Sequence, residues 1–455
     1  MTAVSTSIFD LFKIGPGPSS SHTVGPMLAG GAFIRTAAEL PAELRRQATG
    51  IRVHLFGSLS ATGKGHGTDR AVLAGLMGDL PETCSSERLQ GLLRDARASY
   101  RVRVGDVTVD MTGADIVFDR VVHDFPFSNT LVIRLCGDGG SLFEREYYSV
   151  GGGFIRWKDQ AEPQPEGAPV YPYETMNQFQ QQCRSAGVLF ETLLIANETA
   201  VTGVVPVEIA SRMDHIMAVM DAAVRSGLEA DGVLPGPIGL QRKAARLFNT
   251  IEVPSSPAHR LMARLNAYAL AASEENAAGG IVVTAPTLGS CGIIPAVLRL
   301  LKHNRRMRRD RLRRGLWAAA LVGFLVKHNA SIAGADVGCQ GEVGTASAMA
   351  AALLCGAHDF GIDIIASAAE IALEHHLGLT CDPVMGYVQI PCIERNAMGA
   401  VKAYNAFLLA SMGDAGRQKV GFDAAVAAMR ETGRDMSSKY KETSQGGLAV
   451  SVVGC

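Results

Sequence analysis

Between residues 151 and 180 the chain cannot continue either a helix or a strand, and that break organises everything else. Gly151-Gly152-Gly153 frees the backbone, and the following stretch carries Pro163, Pro165, Pro169 and Pro172 among polar residues. Proline fixes φ and lacks the amide hydrogen, so four in so short a stretch leave an exposed linker or an ordered arm. The two sides of the break differ in period. Before it, Ile51, Val53 and Leu55 alternate with Arg52 and His54, as a strand with one polar face does. Residues 101–110, 130–135 and 145–150 are further strand candidates, and Thr68-Asp69 opens a helix carrying Val72, Leu73 and Leu76. After the break, residues 190–200, 207–227, 257–272, 315–327, 345–355 and 364–375 repeat apolar side chains at spacings of three and four. Many carry Ala or Gly on the apolar face, which predicts close helix approach. The expected fold is α+β. A β-rich α/β domain covers 1–155 and a proline-rich linker 156–180. A mainly α-helical domain follows over 181–445, and a tail over 446–455.

With 455 residues, two or three domains are allowed. Forty-three Lys plus Arg balance 44 Asp plus Glu, so net charge gives no reason to expect nucleic acid or an anionic membrane as partner. The apolar run 315–326 is closed by Lys327 and His328. It falls short of the roughly 20 residues a membrane span needs, and predicts a buried helix. The start has no basic region followed by a long apolar stretch, so the expected location is the cytoplasm. One basic run, 302–314, holds eight Lys or Arg and one Asp. Without interleaved aromatics it reads as a solvated connection or helix start rather than an RNA surface.

Nine cysteines, an odd number, argue against a disulfide framework. Cys339, Cys381 and Cys392 each sit at a Gly or Pro break, whereas Cys355 lies inside an apolar helical stretch and reads as core. The three loop thiols match neither a zinc ribbon nor a ferredoxin spacing. They fit an iron–sulfur cluster with one iron open to substrate, a reading that spacing alone does not decide. Other polar clusters accompany them. Gly15-Pro16-Gly17-Pro18 positions the hydroxyls of Ser19, Ser20, Ser21 and Thr23 beside His22, a set suited to carboxylate binding and proton transfer. Gly63-Lys64-Gly65-His66-Gly67-Thr68 lacks P-loop spacing and exposes His66 at a strand-to-helix turn. Thr287, Gly289 and Ser290 precede a helix whose free amide hydrogens favour a carboxylate. Asn329 ends an apolar helix in a polar cluster that is either a site or a simple cap.

In order along the chain, GPGPSSSHTVGPM, SLSATGKGHGTD, APTLGSCGIIPAV, NASIAGADVGCQGEVG, LTCDPV and IPCIERN closely resemble the iron–sulfur-dependent L-serine dehydratases in their single-chain form. The resemblance runs from Phe9 to the C-terminus. It implies a first domain related to the sensor domain of some phosphoglycerate dehydrogenases and a helical catalytic domain holding a [4Fe-4S] cluster. Cys339, Cys381 and Cys392 match the family's cluster ligands. The implied reaction is deamination of L-serine to pyruvate and ammonia, an amino-acid degradation that feeds gluconeogenesis, without pyridoxal phosphate and in a cytoplasmic homodimer. The elimination needs a base for the Cα proton and a Lewis acid for the hydroxyl. His66 is expected as base, with His22 as the alternative. Ser19, Ser20, Ser21, Thr23, Thr68, Thr287, Gly289, Ser290 and Asn329 are expected around the substrate. The last residue, Cys455, follows the Gly446-Gly447 hinge on an apolar, strand-like run and is expected to dock at the site and cap the open iron; a docked tail with an incidental cysteine is the other reading. A related lyase acting on L-cysteine or L-threonine, a redox protein and a non-catalytic amino-acid sensor are the competing functions.

Overall fold

The computed structural model describes residues 3–95, 97–160, 167–251 and 256–452. The chain opens with β1 (Ile14–Pro16), followed by β2 (Ala48–Gly57), a hairpin of β3 (Ser99–Val104) and β4 (Val107–Thr112), then β5 (Ile116–Phe118), β6 (Asn129–Gly137), β7 (Gly140–Ser149) and β8 (Ile155–Trp157). Five strands form one sheet in the order β5-β2-β6-β7-β8. β5 lies parallel to β2 and the remaining pairs are antiparallel. The alternation read in β2 sends Ile51, Val53 and Leu55 into the core and leaves Arg52 exposed. The helices Gly25–Ala38 and Thr68–Leu76 add Met27, Phe33, Val72 and Leu73 to the same core. They cross closely because Gly75 has no side chain: a Cβ there would lie 1.9 Å from the Met27 carbonyl oxygen. One expectation is corrected. Residues 101–110 are not a single strand but most of the β3–β4 hairpin, because Gly105, at φ +65°, turns the chain back.

Beyond the break the molecule is helical. The helix Thr345–Ala357 is buried along its whole length, as an element apolar on every side must be. Around it pack Arg309–Asn329, Ile362–Glu374 and Cys392–Met412. The apolar run 315–326 is buried inside Arg309–Asn329. Among the described residues no single helix is long and apolar enough to cross a membrane. The basic run starts that helix, and its charges face acids on other elements: Asp221 holds Lys302, Asp214 holds Arg309 and Arg313, and Asp359 holds Arg311 and Arg314.

The expected boundaries differ from the observed packing in three places. Val4, Ile8, Leu11 and Phe12 belong to the helical core. The Val4 amide donates to the Tyr173 carbonyl at 2.9 Å, and the Ile8 amide to Glu198 Oε2 at 3.0 Å. β1 then pairs antiparallel with β9 (Ile281–Val283) of the helical part. Much of the proline-rich stretch is an ordered arm, with Tyr173 buried and a helix, Met176–Ala186, beginning inside it; Pro163 and Pro165 lie outside the described residues. In the tail, the strand-like run is a short helix, Leu448–Ser451, because Gly447 turns at φ +58° and Asp382 Oδ2 accepts from the Leu448 amide at 2.8 Å. Cys455 lies outside the described residues.

Candidate active site

His22 rides on a single wide helical turn, Ser20–Val24, whose first free amides are satisfied by Ser19: its Oγ accepts from the His22 amide at 3.1 Å. His66 ends the short helix Gly63–His66, which Gly67 terminates in the left-handed region at φ +64°. Two hydroxyls brace the pair crosswise. Thr23 Oγ1 donates to the His66 carbonyl at 2.9 Å, and Thr68 Oγ1 donates to the His22 carbonyl at 2.7 Å. The rings stand 4.4 Å apart, centroid to centroid, and both are buried.

The two imidazoles differ in their free atoms. His22 has both ring nitrogens engaged, Nδ1 with Ser21 Oγ at 2.8 Å and Nε2 with Ser58 Oγ at 3.0 Å. His66 Nδ1 lies 2.9 Å from the Thr62 carbonyl, which only accepts, so the proton sits on Nδ1. That leaves His66 Nε2 as a buried lone pair without a partner among the described residues. Burial pulls the His66 pKa down to about 4. Burial, and then the neighbouring His66, hold His22 well below the ordinary imidazole value. Both rings are therefore neutral at pH 7.

Three thiols gather from separate loops. Cys339 precedes the turn Gln340–Gly344, and Cys392 is the first residue of its long helix. Cys381 is clamped by the chain near the C-terminus: its amide donates to the Tyr440 carbonyl and its carbonyl accepts from the Glu442 amide, both at 2.8 Å. The sulfurs of Cys339 and Cys381 and a Glu342 oxygen lie within 4.8 Å of one another. A hydrogen bond with Cys339, then burial, pushes the Cys381 pKa up. Burial, then the charge of Cys339, does the same to Cys392. Glu342 is half-buried and Glu442 buried, and desolvation pushes each up to about 8. Arg395 lies among them, donating to the Thr380 carbonyl at 2.6 Å and to Asp382 Oδ1 at 3.1 Å. Ionised, these thiols and carboxyls would hold far more negative charge than one guanidinium offsets, so the donor set fits a soft, cationic group such as an iron–sulfur cluster.

Glu442 joins the two halves. Its carbonyl accepts from Ser58 Oγ at 2.6 Å, and its Oε1 stands 3.4 Å from Ser21 Oγ and 3.5 Å from His22 Nδ1. Gly65 packs on the loop between Cys381 and Cys392, where a Cβ would meet the Gly386 carbonyl oxygen at 2.8 Å. Thr287 faces the Glu342 carboxyl, and a Cβ on Gly289 would lie 3.2 Å from Glu342 Oε1. Ser290 Oγ lies 3.1 Å from Thr287 Oγ1. Ser21 and His22 thus face Glu442, and Thr287 and Gly289 face Glu342, whereas Asn329 faces neither. Asn329 Nδ2 donates to the Glu174 and Leu325 carbonyls at 2.8 and 3.0 Å, as the simple helix cap does. Sequence reasoning missed Glu342, Arg395, Ser58 and Glu442. A charge three residues after Cys339 and another three after Cys392 were usable signals for the first two. Glu442 had none, because its position comes from chain pairing beside Cys381. Between the sheet and helical parts lies a cleft of about 540 Å³ lined by His66, Lys64, Gly17, Pro18, Tyr387 and Gln389.

Comparison with known proteins agrees in extent with both parts. Residues 7–160 match the serine dehydratase beta chain family, and residues 169–449 the serine dehydratase alpha chain family. An L-serine dehydratase of Streptomyces coelicolor is 43% identical over 99% of this chain and 99% of its own length. The corresponding figures are 42%, 98% and 99% for one from Haemophilus influenzae, and 42%, 99% and 99% for L-serine dehydratase 2 of Escherichia coli.

Proposed function

The chain belongs to the serine dehydratase family, with beta-chain and alpha-chain parts in one polypeptide, and from that premise we propose that it is a lyase converting L-serine to pyruvate and ammonia with a [4Fe-4S] cluster held by Cys339, Cys381 and Cys392. The observation that carries the reading is the buried, neutral His66, its Nε2 unpartnered among the described residues, packed on a His22 that reaches Glu442, which pairs with Cys381 beside Cys339 and Glu342. When bound, such a cluster supplies an iron free of thiolate, whose Lewis acidity makes the substrate hydroxyl a better leaving group.

The remaining work belongs to side chains. His66 Nε2 takes the Cα proton, and the Nδ1 bond to Thr62 keeps the ring in the tautomer that can do so. His22 acts beside it, holding Ser21 and Ser58 in place for the substrate carboxylate. Thr23 and Thr68 spend their hydroxyls on the two histidine carbonyls, so they act by positioning the rings. Thr287, Gly289 and Ser290 form the wall beside Glu342. Loss of the proton and the hydroxyl yields aminoacrylate, which tautomerises to an imine that water hydrolyses to pyruvate and ammonia.

Cys455 completes the proposal as a resting-state fourth ligand. In support, the Leu448 amide earlier in the tail is anchored to Asp382, the neighbour of Cys381. Removing residues 454 and 455 should alter the resting spectrum and the lag on adding serine; an unchanged spectrum, lag and oxygen sensitivity would rule the cap out. The reading as a whole is tested on anaerobically purified protein by visible absorption and electron spin resonance, followed by pyruvate release from L-serine. Cys339→Ser should lose the brown colour and the activity together. Full turnover by colourless, metal-free protein would end the proposal.

A further inference from the structure

Gln389 is a buried amide that the chemistry above leaves unused. It lines the same cleft as His66 and is 2% exposed. Its Nε2 donates to the Pro235 carbonyl at 2.7 Å. A carbonyl offers no hydrogen, so that bond decides which end of the amide faces Pro235 and makes Oε1 the free end. Among the described residues Gln389 Oε1 has no hydrogen-bond partner, and neither has His66 Nε2. Two residues that line one cleft and each carry a buried acceptor lacking a donor are matched by a ligand that brings hydrogens of its own. The backbone ties this amide to the thiols. The Gln389 carbonyl accepts from the Ile393 amide at 3.0 Å, in the first turn of the helix that begins with Cys392.

We propose, resting on the dehydratase reading, that Gln389 Oε1 accepts a hydrogen bond from the α-ammonium group of L-serine and so aims the Cα–H bond at His66 Nε2. The three polar groups of serine need three kinds of partner. Its carboxylate suits the hydroxyls around His22, and its hydroxyl belongs on the thiol side. Its ammonium has three hydrogens and no lone pair, and requires acceptors. A neutral amide oxygen keeps that group charged, which preserves its acidifying effect on the Cα–H bond. It does so without adding a further negative charge beside Glu342, Glu442 and the thiols. The ligand class that follows is an α-amino acid with a β-leaving group; the same acid without its amino group forfeits the contact.

The test compares L-serine with 3-hydroxypropanoate, which is serine without the amino group, on the cluster-containing enzyme. Gln389→Leu should raise KM for L-serine at least tenfold and leave the inhibition constant of 3-hydroxypropanoate within twofold, with the visible spectrum intact. Equal weakening of both ligands, or of neither, would overturn the assignment. Should the leucine variant not fold, Gln389→Glu decides: it keeps an acceptor and adds a charge, so selectivity for serine over 3-hydroxypropanoate should rise at least tenfold, and an unchanged ratio would overturn the assignment. The same pair of variants is titrated calorimetrically with L-alanine and propanoate, neither of which can eliminate. That measurement reads the ammonium contact without turnover, whereas absence of pyruvate formation by the wild-type enzyme would count against the dehydratase reading itself.

Discussion

A histidine that must be neutral to take a proton should show its burial in the pH profile. With the His66 pKa pulled from 6.5 to about 4, the acid limb of kcat/KM should lie near pH 4 rather than near 6.5, measured while the visible spectrum reports an intact cluster. A limb centred at 6.5 would assign the base elsewhere. Stability follows the same sign. The unfolded imidazole binds its proton near pH 6.5, and the folded one only near pH 4. The stabilisation is therefore complete above 6.5 and is lost as pH falls from 6.5 to about 4, by about 3 kcal/mol. His66→Asn keeps a donor for the Thr62 carbonyl but offers no proton-accepting nitrogen. It should cost about 100- to 10,000-fold in kcat and flatten the fall of the melting temperature between pH 6.5 and 4. At this scale the sequence was legible where chemistry was rare: histidines among Gly and Ser, and thiols at Gly and Pro breaks. It was not legible for Glu342 and Glu442. A carboxylate in sequence reads as solvated surface until a fold buries it.

Helix crossings depend on residues that are missing atoms rather than on residues that supply them. Gly227 sits in the helix Pro206–Glu229 against Pro257–Ala277, where a Cβ would lie 2.1 Å from the Ala271 carbonyl oxygen. Gly227→Val should therefore destabilise by about 1–3 kcal/mol through overpacking, read as a lower melting temperature with the cluster spectrum unchanged at low temperature. A melting temperature equal to the wild type would mean that the two helices separate freely. Ala- and Gly-rich apolar faces made this kind of crossing legible in advance, and the long periodic helices were the easiest elements to read. The β3–β4 hairpin was harder. Its two-residue Val104-to-Val107 turn interrupts the alternation for too short a distance to reset the period, and only Gly105 marks it. The wide turn bearing His22 and the loop bearing Cys381 have no period at all, so their shape emerges only from what packs on them.

At the scale of the whole molecule, chain order and spatial order part company. His22 and Cys339 both come beside Glu442 although the sheet and the proline-rich arm separate them in sequence. The means is the first stretch of chain, which a reading by composition assigns to the wrong neighbour. Val4, Ile8, Leu11 and Phe12 enter the helical core, and burying each is worth about 1.5–3 kcal/mol relative to exposure. The β1–β9 ladder, the Lys13 amide donating to Thr284 Oγ1 at 2.8 Å and Asn276 Nδ2 donating to the Pro18 carbonyl at 2.8 Å add polar ties across the same contact. None of these ties passes through residues 161–166, so the covalent link there should be dispensable once the chain has folded. With a protease site inserted in that stretch, the cleaved protein should elute as one particle and keep kcat within about twofold. Deleting residues 3–12 removes the apolar anchor. The same cleavage should then let the sheet part, with His22 and His66, separate from the helical part, with the thiols, and pyruvate formation should stop while the visible spectrum of the helical part persists. Separation of the two pieces in the protein that retains residues 3–12 would show that the link, and not the crossing of the N-terminal segment, holds the site together.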